Sequence, residues 1–90
     1  MFEFDPAKSR INQAKHGIDF EEAQALWNDL RHIVVRIDRE LLSEERWLVI
    51  GRIGDLIWTA VVTYRGDATR IISVRRARPN EVRRYEREED

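Results

Sequence analysis

The 90 residues contain no cysteine, which excludes a disulfide framework, a thiolate metal site and a cysteine nucleophile. Histidine occurs only at His16 and His32, and no acidic run has the spacing of a calcium loop. Neither a metal nor any other cofactor is expected. Apolar runs are short: Leu56 to Val62 falls far below the roughly 20 residues of a membrane helix. Glu3 and Asp5 stand where a secretory leader needs positive charge followed by an apolar stretch, so a soluble, cytoplasmic protein is expected. Lysine is nearly absent, with Lys8 and Lys15 against fourteen arginines. The planar arginine fork grips phosphate through paired hydrogen bonds. The bias fits a phosphate-bearing partner and equally a solvated charged surface.

What is present describes a folded chain. Hydrophobic residues make up 42% and charged residues 37%, a composition that suits a small core under a heavily charged surface. The length suits one domain over residues 1–90. Net charge is −1, yet the average hides an asymmetry. Between Arg65 and Arg87 eight arginines face only Asp67, Glu81 and Glu86, a local +5 that leaves −6 for the rest.

Phe2-Glu3-Phe4 alternates and reads as a short edge strand. Asp5-Pro6 starts a helix, with Ala7, Ile11 and Ala14 at helical spacing and Gly17 as its stop. Asp19 and Glu22 form a capping-box pair for a second helix, whose apolar stripe is Phe20, Ala23, Leu26, Trp27 and Leu30. The period then falls to two. Strands are expected from Ile33 to Asp38, Arg46 to Ile53, Leu56 to Tyr64 and Thr69 to Arg76, with hairpin turns at Gly54-Asp55 and Arg65 to Ala68. Pro79 opens a terminal helix through Val82 and Tyr85. The expected class is α+β, a sheet with helices on one face. On the last strand simple alternation puts Arg70, Ile72, Val74 and Arg76 on one side and Ile71, Ser73, Arg75 and Ala77 on the other. Neither set is purely apolar, so the inward side stays open.

Phe4-Asp5 with Lys8, Asn12, Lys15-His16-Gly17, Phe20 and Ala23 resembles the opening of the BrnT toxins. Arg46-Trp47 with Gly51 is similar to the middle of that family, and Arg70 to Ala77 followed by Glu81 and Tyr85 to its end. The resemblance spans nearly the whole chain. It implies a RelE-like fold: a short N-terminal strand and two helices, then a four-stranded antiparallel sheet and a C-terminal helix. It also implies a translation-blocking endoribonuclease, the toxin of a type II toxin–antitoxin pair. The implied partner is a BrnA-like ribbon-helix-helix antitoxin in a heterotetramer, which would reach DNA only through the antitoxin. Two departures stand out: Phe4 where the family usually has tryptophan, and Arg78 where a small hydroxyl residue often caps the last helix. A non-catalytic RNA- or ribosome-binding module stays open beside this reading, as does a degenerate toxin kept for antitoxin binding and promoter control.

Metal-free RNA cleavage needs a base for the 2′-hydroxyl, cations for the phosphate and an acid for the leaving 5′-oxygen. Arg70 and Arg75 are the candidate transition-state stabilisers, with a strand-end salt bridge to Glu81 as the plainer role for Arg75. His16 is a candidate base or acid, or a cation seated at a helix C-terminus. Glu81 and Tyr85, four apart on one helix face, are candidates for base and for acid or stacking platform, and Tyr85 could equally anchor the helix. Lys15, Arg76 and Arg84 are candidate RNA contacts. Trp27 and Trp58 read as core, Trp47 as core or antitoxin contact, and His32 as surface.

Overall fold

The computed structural model describes residues 1–37 and 44–89; Asp38, the last residue of the first expected long strand, lies outside them. Its elements are β1 (Phe2–Glu3), α1 (Pro6–His16), a 3₁₀ helix (Glu22–Asn28), β2 (Ile33–Ile37), β3 (Arg46–Ile53), β4 (Leu56–Arg65), β5 (Ala68–Arg76) and α2 (Pro79–Glu89). The strands form one sheet in the order β1-β5-β4-β3-β2.

The expected four antiparallel strands are joined by a fifth, because β1 pairs with β5 in parallel, opposite Thr69 and Arg70. Aromatic contacts pin it there: Phe2 meets Trp27 edge-on at 4.7 Å and the following Phe4 meets Phe20 at 5.7 Å. Both long hairpins close on the same dipeptide, Gly54-Asp55 and Gly66-Asp67. Each glycine takes a positive φ, 61° and 57°, which a two-residue hairpin turn needs at its first position.

The ambiguity of β5 has a specific cause. Val61 pairs with Ser73 and Val62 with Ile71, so Ile72 is an extra residue in a bulge. Ile71 and Val74 therefore enter one core together, while Arg70, Ser73 and Arg75 share the other side. Strict alternation had put Arg70 with Val74.

The core lies on the face of Val49, Ala60, Val62, Ile71 and Val74, under Ile18, Phe20, Ala23 and Leu26. Asp19 and Glu22 make the expected capping box, each accepting the other's backbone N–H at 2.7 and 3.0 Å. The turn that follows is 3₁₀, closed by the Asp29 N–H on Leu26 O at 3.2 Å, as the chain bends into β2. Leu30 falls past that bend and is 99% exposed, so it leaves the expected stripe.

Helix α1 starts and stops where expected: the Asp5 carboxylate accepts the Ala7 N–H at 2.9 Å, and Gly17 at φ 79° returns its N–H to Gln13 O. Its inward face is the reverse of expectation. Ile11 is 64% exposed and the buried residues are Ser9 and Asn12. The reason is the short β1, which leaves the upper edge of β5 without a strand partner. The Asn12 side chain takes that place, accepting from Val74 N–H at 3.1 Å and donating to Val74 O at 2.9 Å and Ile18 O at 2.8 Å. Ser9 accepts the Phe20 N–H at 2.9 Å. Buried backbone groups demand partners, and here that demand decides which way the helix turns.

Helices cover both faces of the sheet, not one. Glu81 and Tyr85 of α2 are buried against the face opposite the core, where Ile50 and Thr59 are 1% and 0% exposed. The Glu81 carboxylate also accepts the Arg78 N–H at 2.8 Å, which is half of a capping box. Arg78 cannot supply the other half. Arg78→Ser completes it and is expected to raise stability by about 0.5–1 kcal/mol, read as a higher urea midpoint at unchanged slope.

Candidate active site

The face beneath α2 is ordered in rows by strand register. The upper row is Ile33, Ile50, Thr59 and Arg75, the next is Val35, Leu48, Val61 and Ser73, and the lowest joins Ile37 and Arg46 to Thr63 and Arg70. α2 closes the upper row. The two lower rows remain half-exposed apart from the buried Thr63.

In the upper row Arg75 donates two parallel hydrogen bonds to Glu81, at 2.7 and 2.9 Å, and Thr59 Oγ1 adds a third at 3.0 Å. Burial would raise the Glu81 carboxyl, but the Arg75 fork, the Arg78 N–H and the Thr59 hydroxyl outweigh it and hold the pKa down to about 2. The same bonds to Glu81 raise Arg75 against a smaller opposing effect of burial. Glu81 is thus an ionised carboxylate with four hydrogen bonds.

Tyr85 is 1% exposed, and its hydroxyl donates to Asp29 Oδ2 at 2.6 Å. Asp29 sits where β2 has not yet begun to pair with β3, and it accepts the Arg52 N–H at 2.8 Å and the Arg31 N–H at 2.9 Å. Burial would raise the Asp29 carboxyl, but the Tyr85 hydroxyl and these two N–H groups lower it overall. The Arg52 guanidinium lies 5.9 Å over the Tyr85 ring. Gly51 leaves room for this junction: a Cβ there would meet Leu26 and His32 at 3.2 Å and Asp29 at 3.4 Å. His32, expected at the surface, belongs to it, half-buried with Nδ1 2.8 Å from Asp29 O.

The lowest row is different in kind. Arg46 has a buried Nε without a hydrogen-bond partner and makes no ion pair among the described residues. Among the described residues Arg70 is ion-paired with Glu3 alone, at 3.6 Å. Thr63 lies between them, its hydroxyl donating to Glu45 O at 2.7 Å.

The expected site residues are therefore divided. Arg70, Arg75, Glu81 and Tyr85 share one face of the sheet, with Arg75 and Glu81 in contact. His16, half-buried, and Lys15, exposed, end α1 along the free edge of β5. Arg76 turns to the other face, its guanidinium 5.6 Å over the Trp58 ring, and Arg84 is exposed on α2. Trp58 is core, Trp27 packs on Phe2, and Trp47 packs on Tyr64 at 4.8 Å.

Sequence reasoning missed Arg46, Thr59, Thr63 and Asp29. The lone hydroxyl of Thr59 inside the apolar run from Leu56 to Val62 was the one visible signal, since a buried polar side chain requires a partner. Among the described residues no three His, Asp or Glu side chains gather closely enough to hold a metal ion, and no helix is long and apolar enough to cross a membrane.

Residues 4–81 match the family described as ribonuclease toxin, BrnT, of type II toxin-antitoxin system. No curated protein matches the chain.

Proposed function

Because the chain belongs to the BrnT family of type II toxin–antitoxin ribonuclease toxins, we propose that it cuts RNA endonucleolytically, without a metal, on the two open rows of the face beneath α2. The observation that carries this reading is the pair of loosely held guanidiniums, Arg46 and Arg70, on either side of Thr63. They stand two strands apart, about 10 Å between backbones, and their long side chains can converge on one phosphate. The half-buried Val35, Leu48 and Val61 above them offer an apolar floor for an unstacked base.

In this reading the RNA 2′-oxygen attacks the adjacent phosphorus and loses its proton. The bond to the 5′-oxygen breaks, that oxygen gains a proton, and a 2′,3′-cyclic phosphate remains. Arg46 and Arg70 meet the negative charge that builds on the phosphate oxygens, the term that usually contributes most. Arg75, Glu81, Thr59 and Tyr85 are positioning residues: they fix α2 and so the upper border of the site. The partner is a protein antitoxin, of the ribbon-helix-helix kind, and the action is a block of translation in the cytoplasm.

Induced expression tests the reading. Wild-type chain is expected to arrest growth, with relief by its cognate antitoxin and with cyclic-phosphate ends on cellular RNA. Soluble protein that leaves growth and RNA intact would overturn it.

A further inference from the structure

Helix α1 is built inside out. Ser9, Asn12 and the half-buried His16 lie on its inward side. On the opposite side, at positions i, i+4 and i+7, Ala7, Ile11 and Ala14 face solvent. A helix ordinarily turns a stripe with this spacing toward a core. Here the inward side is committed to satisfying the backbone of Val74, Ile18 and Phe20, and the apolar stripe is left outside.

The border of the stripe is of one sign. At 3.6 residues per turn, Lys8 and Lys15 flank it on one side and Arg10 on the other, and α1 contains no Asp or Glu. All three cations are exposed and none makes an ion pair or hydrogen bond among the described residues. Ile11 stands as a single knob between two alanines, a relief that lets a second helix approach closely at both ends.

Resting on the toxin–antitoxin reading above, we propose that this face of α1 docks an amphipathic helix of the protein antitoxin whose apolar stripe is bordered by Asp and Glu. Such a helix uses both features of the surface, laying its stripe over Ile11 and pairing its acids with Lys8, Arg10 and Lys15. A phosphate backbone would use the cations and leave the isoleucine exposed. The stripe is on the solvent side of α1, whereas Arg46, Thr63 and Arg70 stand on strands of the sheet face beneath α2, so antitoxin docking and RNA cleavage are expected to be separable by mutation.

The test is calorimetric titration of the full chain with its purified cognate antitoxin, at low and moderate salt, for the wild type, Ile11→Asp and the double variant Lys8→Glu/Arg10→Glu. Each variant is expected to weaken antitoxin binding roughly tenfold or more, with melting temperature and antitoxin-free RNA cleavage at wild-type levels. Wild-type affinity is expected to fall with salt, and that dependence to shrink in the double variant. Antitoxin is also expected to slow amide hydrogen exchange in residues 8–16. Variants that bind within twofold of wild type, or α1 amides that exchange equally with and without antitoxin, would overturn the docking assignment. A chain that cuts no RNA yet loses antitoxin on Ile11→Asp would uphold the docking and overturn the nuclease reading instead.

Discussion

Arg46→Ala and Arg70→Ala are each expected to lower kcat/KM for RNA cleavage by on the order of a hundredfold, the usual cost of removing one preorganised charge-stabilising group. Both guanidiniums lie on the half-exposed part of the sheet face, and neither holds a short hydrogen bond among the described residues. Their removal should therefore leave the melting temperature within a degree or two of wild type. Arg46→Ala frees a buried Nε that has no partner, so it is the less costly of the two for folding. Arg→Lys keeps the charge and loses the fork, and recovery is expected to be partial at both positions. Full activity in either alanine variant would remove that residue from the site. A large drop in melting temperature would make its role structural.

Glu81→Ala is expected to be strongly destabilising, at about 3–5 kcal/mol. It leaves the largely buried Arg75 guanidinium without its carboxylate and removes the acceptor of Thr59 Oγ1 and of the Arg78 N–H. A domain of this size is stable by only about 5–10 kcal/mol, so the variant sits close to unfolding. The double variant Arg75→Met/Glu81→Leu removes both charges together and is expected to recover much of the loss, since the penalty lies in an unpaired buried charge.

The same carboxylate predicts a pH dependence. Glu81 titrates near its ordinary 4.5 in the unfolded chain and at about 2 in the folded one. Its folded value is the lower, so its contribution is fully present above about pH 4.5. It is lost as pH falls toward 2, and amounts to about 3 kcal/mol. Denaturant titrations from pH 7 to pH 3 should show wild-type stability falling through that window and a flatter profile for Glu81→Gln. Parallel profiles for the two proteins would refute the assignment.

Local signals in the sequence carried far into the fold. Asp5-Pro6, Gly17, the Asp19–Glu22 box and the two Gly-Asp turns each specify one backbone event through chemistry next to them in the chain, and each stands where that chemistry puts it. The failures are non-local. Ile72 is one residue among nine in β5, and only pairing with β4 makes it the extra one. The inward turn of Ser9 and Asn12 depends on Val74, 62 residues from Asn12, so periodicity alone puts Ile11 inside. Among candidate site residues, the salt bridge weighed for Arg75 is present, since an acid three places into the next helix lies within its reach. Arg46 was legible as a strand start but not as a site residue, because its want of a partner among the described residues depends on the strands on either side of it.

Whether RNA is held on the open rows beneath α2 is tested by an amide and side-chain NMR titration of the wild-type chain with a short 2′-O-methyl oligoribonucleotide, which cannot be cut. Shifts are expected at Arg46, Leu48, Val61, Thr63, Arg70 and Ser73, with α1 unaffected. Shifts confined to Lys15, His16 and the rest of α1 would contradict it.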